Sequence, residues 1–175
     1  MSLNNRIISE TNWLGLWTLF SKESLRFLKV SYQTILAPII TNLLFLTIFL
    51  VVIDRDKMII GGVNYTEFLV PGLIMMAILQ NAFMNTSSSI MISKIQGNIV
   101  DILLPPLSSL ELTLAISLGG VARGLMVGLA SIVTFYFIVD IKFHNVFYII
   151  FFAFSGSLSL SLIGVMGGIW SEKFD

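Results

Sequence analysis

The side chains that most often carry out catalysis are scarce in this sequence. Cysteine is absent and His144 is the single histidine, so neither a thiolate nor a histidine cluster is available to bind a metal ion. The chain has no G-x-x-x-x-G-K-[ST] segment to cradle ATP phosphates, and no G-x-S-x-G or H-E-x-x-H segment. Its acidic residues fall in predicted loops rather than in pairs within apolar segments, which argues against a proton relay. The sequence therefore predicts no catalytic residue, no metal site and no cofactor bound by this chain.

Polar side chains at helical spacing within one apolar segment form the first candidate site. Asn81, Asn85 and Ser88 (or Ser89) recur at i, i+4 and i+7 (or i+8), so they share one face of a helix. Polar groups at membrane depth face other helices or a hydrated path rather than lipid. Two interpretations stay open. These side chains either tie helices together, at about 0.6–2 kcal/mol each, or line a substrate path.

The composition places these residues in a membrane protein. Hydrophobic residues make up 56% of the 175 residues and charged residues only 11%, whereas soluble domains carry about 25% charged residues. Ten Lys and Arg balance ten Asp and Glu, so the chain offers no basic surface to nucleic acid. The first apolar run long enough to span begins near Gln33, behind a long mixed segment, which does not fit a cleaved signal peptide.

Four apolar segments are long enough to cross a bilayer, which needs about 20 residues. The predicted fold class is an all-α polytopic membrane protein, with a cytoplasmic or interfacial segment at residues 1–32 and a transmembrane domain at residues 33–175. The predicted spans cover residues 33–53, 68–92, 112–139 and 145–170. Short aqueous loops are expected between them, and His144 is interpreted as a solvated or headgroup-level residue rather than a proton switch.

The segment before the first span is amphipathic. Lys22, Arg26 and Lys29 fall at i, i+4 and i+7 on one side of a helix. Large apolar side chains recur on another side, at Trp13, Leu16, Trp17, Phe20 and Phe27. This pattern predicts a helix lying in the membrane interface. The alternative is a basic flank that simply precedes the first span.

The third apolar segment combines small residues with one charge. Gly120, Gly124 and Gly128 have strict four-residue spacing, which lets another helix backbone approach closely; whether the partner helix lies in the same chain stays open. Arg123 would need a partner or water if it lay at mid-depth. The preferred alternative places Arg123 near the interface, where its long side chain can reach the headgroups.

Orientation follows from the cations that flank the spans. One side receives six of them, Arg6, Lys22, Arg26, Lys29, Lys94 and Lys173. The other side receives three, Arg55, Lys57 and Lys142. Because cytoplasmic flanks carry the excess of Lys and Arg, both ends of this chain are predicted to be cytoplasmic.

The connector between the second and third spans, Lys94 to Glu111, has the signals of a helix that stops and restarts. Gly97 ends the preceding helix, and Asn98 with Asp101 three residues later is a favourable start for a new one. Proline at 105 and 106 ends that helix, and Ser108 with Glu111 forms a capping-box pattern. Ile99, Ile102 and Leu103 are predicted to share an apolar face, which fits either a partner's groove or contact with lipid headgroups.

Three stretches together resemble the permease subunits of ABC-2 type transporters. They are Phe68-Leu-Val-Pro-Gly-Leu-Ile-Met-Met76, Gly97-Asn-Ile-Val-Asp-Ile-Leu-Leu-Pro-Pro106 and Gly119-Gly-Val-Ala-Arg-Gly-Leu-Met-Val-Gly128. The Gln33-Thr34 and Ala37-Pro38 pairs and the aromatic N-terminal segment are also similar to that family. Within it, the chain most resembles the bacterial inner-membrane group that works with a separate ATP-binding subunit.

The resemblance implies several features that the composition does not show. Family permeases have six spans, an N-terminal interfacial helix, and a cytoplasmic coupling helix that docks on the ATPase. Here the coupling helix corresponds to Gly97, Asn98, Asp101, Ile102, Leu103 and Leu104. Two permeases and two ATPases would form an exporter, with a homodimer of this chain expected and with ATP and magnesium bound by the ATPase. The sequence ends after four spans, so C-terminal truncation is expected.

The leading hypothesis is therefore a non-catalytic permease subunit of an ABC-2 exporter, with Asn81 and Asn85 as part of its path. A secondary transporter or channel that works without an ATPase is the main alternative. A structural membrane protein that binds partners without transport is a further one.

Overall fold

The computed structural model describes residues 11–52, 59–60, 62–139 and 145–171, and this part of the chain is almost entirely helical. Its helices are α1 (Trp13–Lys29), α2 (Ser31–Val52), α3 (Tyr65–Ile95), α4 (Ile99–Leu103), α5 (Ser109–Tyr136) and α6 (Val146–Trp170). Two strands of two residues each, β1 (Ile59–Ile60) and β2 (Val63–Asn64), pair antiparallel just before α3. The predicted all-α class is confirmed.

Four of these helices, α2, α3, α5 and α6, are long and apolar enough to cross a membrane. They correspond to the four predicted spans, although α3 begins three residues earlier and ends three residues later than its span. Its 31 residues make a helix of about 46 Å, which exceeds the roughly 30 Å of a hydrocarbon core. The predicted loop charges at 54–57 and His144 lie outside the described residues.

Helix α3 is the centre of the bundle, because α5 and α6 both pack along it. Gly120, Gly124 and Gly128 of α5 face α3, and side chains there would collide with it. A Cβ atom at Gly124 would lie 2.7 Å from the Ile78 carbonyl oxygen, and one at Gly128 would lie 2.5 Å from the Ile78 side chain. The partner of this glycine ridge is therefore a helix of the same chain.

Helix α6 uses small residues in the same way to approach α3 beside α5. A Cβ atom at Gly164 would lie 2.7 Å from the carbonyl oxygen of Phe83, and one at Gly168 would lie 3.0 Å from that of Ser87. Ser157 and Ser161 are fully buried on the same face of α6. Close backbone approach therefore holds α3, α5 and α6 together.

The buried apolar residues form two clusters at opposite ends of the bundle. One joins α2, α3, α5 and α6 through Leu46, Val70, Leu73, Ile74, Ile78, Phe135 and Ala153. The other joins α1, α3, α4, α5 and α6 through Leu19, Ile90, Ile102, Ala115, Ile116 and Val165. We call the second the lower cluster. It fixes α1 and α4 to the end of the bundle where the connector between α3 and α5 lies.

Candidate functional site: the α4 surface and a buried polar cluster

The connector from α3 to α5 turns sharply at Gly97. This residue has φ +75°, a left-handed conformation that glycine adopts without steric cost, and it follows the last turn of α3. Asn98 precedes α4, but its side chain makes no capping hydrogen bond to that helix. Asn98 Nδ2 instead lies 3.4 Å from Gln96 Oε1. Helix α4 does start at the predicted place, directly after Asn98, but the Asn98 side chain does not cap it.

The faces of α4 differ from those predicted. Ile102 is only 4% exposed and belongs to the lower cluster, where Ile99 also packs. Leu103 and Leu104 are 62% and 73% exposed, and Asp101 is exposed beside them. Ile102 is therefore not available as a docking residue, and Leu103 does not share its face. The exposed surface of this segment, which we call the α4 surface, consists of Val100, Asp101, Leu103 and Leu104.

A capping box fixes the other end of the connector. Ser108 Oγ accepts a hydrogen bond from the Glu111 backbone N–H at 3.3 Å, while Glu111 Oε2 accepts one from the Ser108 backbone N–H at 2.7 Å. The Ser108 hydroxyl also lies 2.9 Å from that carboxylate oxygen. These bonds satisfy backbone donors in the first turn of α5 and hold the chain just after the two prolines.

Helix α1 is tied to the same connector by its N-cap residue. Asn12 Oδ1 accepts a hydrogen bond from the Gly15 backbone at 2.9 Å, and its Nδ2 donates to the Pro106 carbonyl at 3.3 Å. The Asn12 backbone N–H donates to the second oxygen of Glu111. The carboxylate of Glu111 thus joins the start of α1 to the start of α5.

A buried polar cluster lies farther along α1. The Glu23 side chain is almost fully buried and accepts a hydrogen bond from Ser89 Oγ at 2.7 Å. Arg26 forms an ion pair with Glu23 at 3.3 Å, and it donates to the backbone carbonyl of Asn85 at 2.9 Å and to its side-chain oxygen at 3.3 Å. Gly119 makes room for this cluster, since a Cβ atom there would lie 2.8 Å from that of Glu23.

Arg123 follows Gly119 by one turn of α5 and adds a second arginine to this region. Among the described residues, the buried Nε of Arg123 and the Nδ2 of Asn85 have no hydrogen-bond partner. Within the described part of the chain, the carboxylate of Glu23 forms an ion pair with Arg26.

In the described part of the chain, the polar side chains predicted on one face of α3 pack within the bundle. Asn81 and Asn85 are 5% and 0% exposed, and Asn81 Nδ2 donates to the Ala77 carbonyl of its own helix at 3.0 Å. Ser88 is half-buried and donates to the Asn85 carbonyl at 3.2 Å. Asn85 ties α3 to α1 through Arg26, in line with the helix-tying interpretation, and the path-lining role of Asn81, Asn85 and Ser88 stays a prediction.

Sequence reasoning missed Glu23 and misplaced Arg26. Glu23 belongs to none of the predicted sites, although it lies between Leu19 and Phe27 at four-residue spacing, on the buried face of α1. An acidic residue within an apolar stripe was the signal that could have revealed it. Lys22 and Lys29 are exposed as expected, but Arg26 turns toward the bundle.

The fold and these surfaces define a class, an all-helical polytopic membrane protein with a short connecting helix exposed at one end of its bundle. Comparison with known proteins then identifies the family. The family model of ABC-2 type transporters matches residues 15–175. The chain belongs to the ABC-2 type transporter family.

Relatives agree with this assignment. The chain is 33% identical over 163 residues to a protein from Escherichia coli strain K12 named inner membrane transport permease YadH, and equally to the protein of that name from Shigella flexneri. The matched region covers 93% of this chain and 64% of the relative, so the chain spans slightly less than two thirds of the length of these curated relatives. No solved structure matches the chain.

Proposed function

We propose that this chain is the permease subunit of an ATP-driven exporter in a bacterial inner membrane. Its helices form part of the membrane path, and a separate ATP-binding subunit binds ATP and magnesium and hydrolyses the nucleotide. Family membership and the name of the relatives support this proposal. The absence of a phosphate-binding loop from the sequence is consistent with a transport subunit that needs an external ATPase.

The α4 surface is the observation that carries the proposal. It presents Val100, Leu103 and Leu104 outward beside the charge of Asp101, which is a suitable combination for a partner's groove. The opposite side of α4 inserts Ile102 into the lower cluster. A partner that moves α4 would therefore push directly on the ends of α3, α5 and α6.

Helix α1 also contacts the connector and the lower cluster, so a movement of α4 would affect it. Asn12 bonds to Glu111 of the capping box and to the Pro106 carbonyl just before it, and Leu19 packs in the lower cluster. A displacement of α4 would reach α1 by these contacts, and the ion pair at Glu23 would then transmit it to the middle of α3. We assign the coupling helix of the family to α4 and the residues that flank it, from Gly97 to Leu104.

In the proposed assembly the α4 surface faces the cytoplasm, as do both ends of this chain. Two copies of the permease and two ATPases make up the exporter, and the path lies between the two permeases. Helices α2 and α6 leave large apolar side chains exposed, among them Leu44, Ile48, Phe151 and Ile163. These surfaces are available to lipid and to the second permease copy.

The test is recovery of an ABC ATPase, recognised by its phosphate-binding loop, with the affinity-tagged chain from native membranes. The double substitution Asp101→Lys with Leu103→Glu should abolish recovery, because it reverses a charge and removes an apolar contact on the α4 surface. The control is Lys22→Glu with Leu25→Glu, a similar change at exposed positions of α1. Equal recovery with the α4 variant and the unmodified chain would refute the docking assignment.

A further inference from the structure

A shallow groove of about 640 Å³ runs along the outward side of α1. The residues that line it are Trp17, Thr18, Ser21, Lys22, Leu25, Arg26 and Lys29. All of them belong to one helix. Within the described part of the chain the groove therefore has a floor but no opposite wall, and an occupant from outside would have to supply it.

The groove is strongly cationic. Lys22, Arg26 and Lys29 line it, whereas the sequence of α1 contains a single acid, Glu23. That acid points the other way, into the bundle, where it accepts a hydrogen bond from Ser89. The pairing of Arg26 with Glu23 and Asn85 holds its guanidinium at the edge of the groove. The two lysines remain exposed, so the groove has an excess of positive charge.

The same groove also has an apolar part. Trp17 and Leu25 are 65% and 56% exposed there. Neither a free anion nor a purely polar peptide would cover these side chains. A molecule with an anionic head and hydrocarbon chains would match both parts at once, because basic amphipathic helices combine apolar burial with attraction to anionic lipids.

We propose that the outward groove of α1 is a binding site for an anionic phospholipid of the surrounding leaflet. The lipid phosphate lies among Lys22, Arg26 and Lys29, and the acyl chains cover Trp17 and Leu25. The bound lipid forms the missing wall of the groove. The site is independent of ATPase docking, since none of its residues belongs to the α4 surface.

Trp17 provides a direct reporter, because the chain has only three tryptophans. The variant Trp13→Phe with Trp170→Phe leaves Trp17 as the single fluorophore. The full chain is reconstituted in vesicles that contain either brominated phosphatidylglycerol or brominated phosphatidylcholine at equal mole fractions, and bromine quenching of Trp17 is measured. A matched reporter, Trp13→Phe with Trp17→Phe, leaves Trp170, which is 89% exposed at the end of α6.

We expect the anionic lipid to quench Trp17 at much lower mole fraction than the zwitterionic lipid, with little difference at Trp170. Adding Lys22→Gln and Lys29→Gln should reduce the preference at Trp17 by roughly tenfold or more. Adding Lys22→Arg and Lys29→Arg should preserve it. Equal quenching of Trp17 by both lipids, an equal anionic preference at Trp170, or a Trp17 shielded from both lipids by a second copy of the chain would each overturn the proposal.

Discussion

At the residue scale, two neighbours in α4 have opposite environments. Ile102 is 4% exposed and Leu103 is 62% exposed. We predict that Ile102→Ala lowers the free energy of unfolding by about 2–4 kcal/mol, because it leaves a cavity in the lower cluster. Leu103→Ala should change stability by less than about 0.5 kcal/mol, while lowering recovery of the ATPase. Thermal unfolding in detergent and co-purification measure the two effects.

The comparison is informative because each variant is the control for the other. If both lowered stability equally, Leu103 would be a packing residue and the α4 surface would be smaller than described. If neither affected ATPase recovery, the apolar part of the surface would not contribute to docking. From the structure we expect Ile102→Ala to lower the stability and Leu103→Ala to lower the recovery of the ATPase.

The ion pair of Glu23 with Arg26 gives a second prediction at this scale. Glu23→Gln removes the carboxylate that pairs with Arg26 and accepts a hydrogen bond from Ser89, so the partly buried guanidinium of Arg26 loses its counter-charge. We expect a loss of about 3 kcal/mol in the free energy of unfolding, the lower end for a broken buried pair, because Arg26 is one-third exposed. Thermal unfolding of the purified chain measures it.

A double-mutant cycle separates charge from packing at this pair. The combination of Glu23→Gln with Arg26→Gln should recover part of the stability, since it also removes the cation that Glu23→Gln leaves without its carboxylate. Asp101→Asn, at an exposed position, is the control for loss of a carboxylate and should leave stability unchanged. Strictly additive effects of the two substitutions would show that the pair contributes no coupling energy.

At the element scale, the spans were the most predictable part of the protein. Bilayer thickness sets their minimum length, so an uncharged run such as 33–53 specifies a helix almost by itself. The extensions of α3 and α5 were less predictable, because they contain polar residues that distant parts of the chain bind. Lys94 donates to the Ser171 carbonyl at the end of α6, and Glu111 bonds to Asn12 at the start of α1. The buried and exposed faces of α1 were harder still to predict. Which side is buried depends on where α5 lies, and Glu23 shows that a charge can occupy that side.

The glycine ridge of α5 leads to a prediction about packing between elements. In Gly124→Ala the new methyl group would meet the Ile78 carbonyl oxygen at 2.7 Å, and that backbone atom can move only if α3 moves. We expect a loss of about 1–3 kcal/mol in the free energy of unfolding. Thermal unfolding measures this loss.

Gly72→Ala in α3 is the matched control for the ridge. Gly72 is exposed, and nothing lies within 4 Å of the position of its missing Cβ atom. Alanine there should stabilise the helix by about 0.5–1 kcal/mol. Opposite signs for the two substitutions would support the close approach of α5 to α3. Stabilisation by both would contradict it.

At the scale of the whole molecule, the two ends of the bundle differ in chemistry. One end carries α4, the capping box, the lower cluster and the contacts of Asn12, while the other is closed by an apolar cluster around Phe135. Sequence patterns located the connector between Gly97 and Glu111. They did not reveal that α1 is bonded to it, because the contacts join residues about a hundred positions apart, as Asn12 and Glu111 show.

The absence of cysteine makes the orientation of the whole molecule directly testable. Leu104→Cys introduces a thiol at an exposed position of the connector, and Asn64→Cys introduces one at an exposed position beside α3 at the opposite end of the bundle. Since the excess of Lys and Arg predicts a cytoplasmic connector, a membrane-impermeant maleimide should label Leu104→Cys in inside-out vesicles only. The same reagent should label Asn64→Cys in spheroplasts only.

Controls make this labelling experiment decisive. Both variants should react fully after detergent treatment, which shows that each thiol is accessible once the membrane barrier is removed. The parent chain should not react at all, since its sequence has no cysteine. Labelling of Leu104→Cys in spheroplasts would place the α4 surface outside the cell, where no ATP-binding subunit could reach it. That result would contradict the orientation and the proposed coupling together, whereas the expected pattern leaves α4 accessible to an ATPase in the cytoplasm.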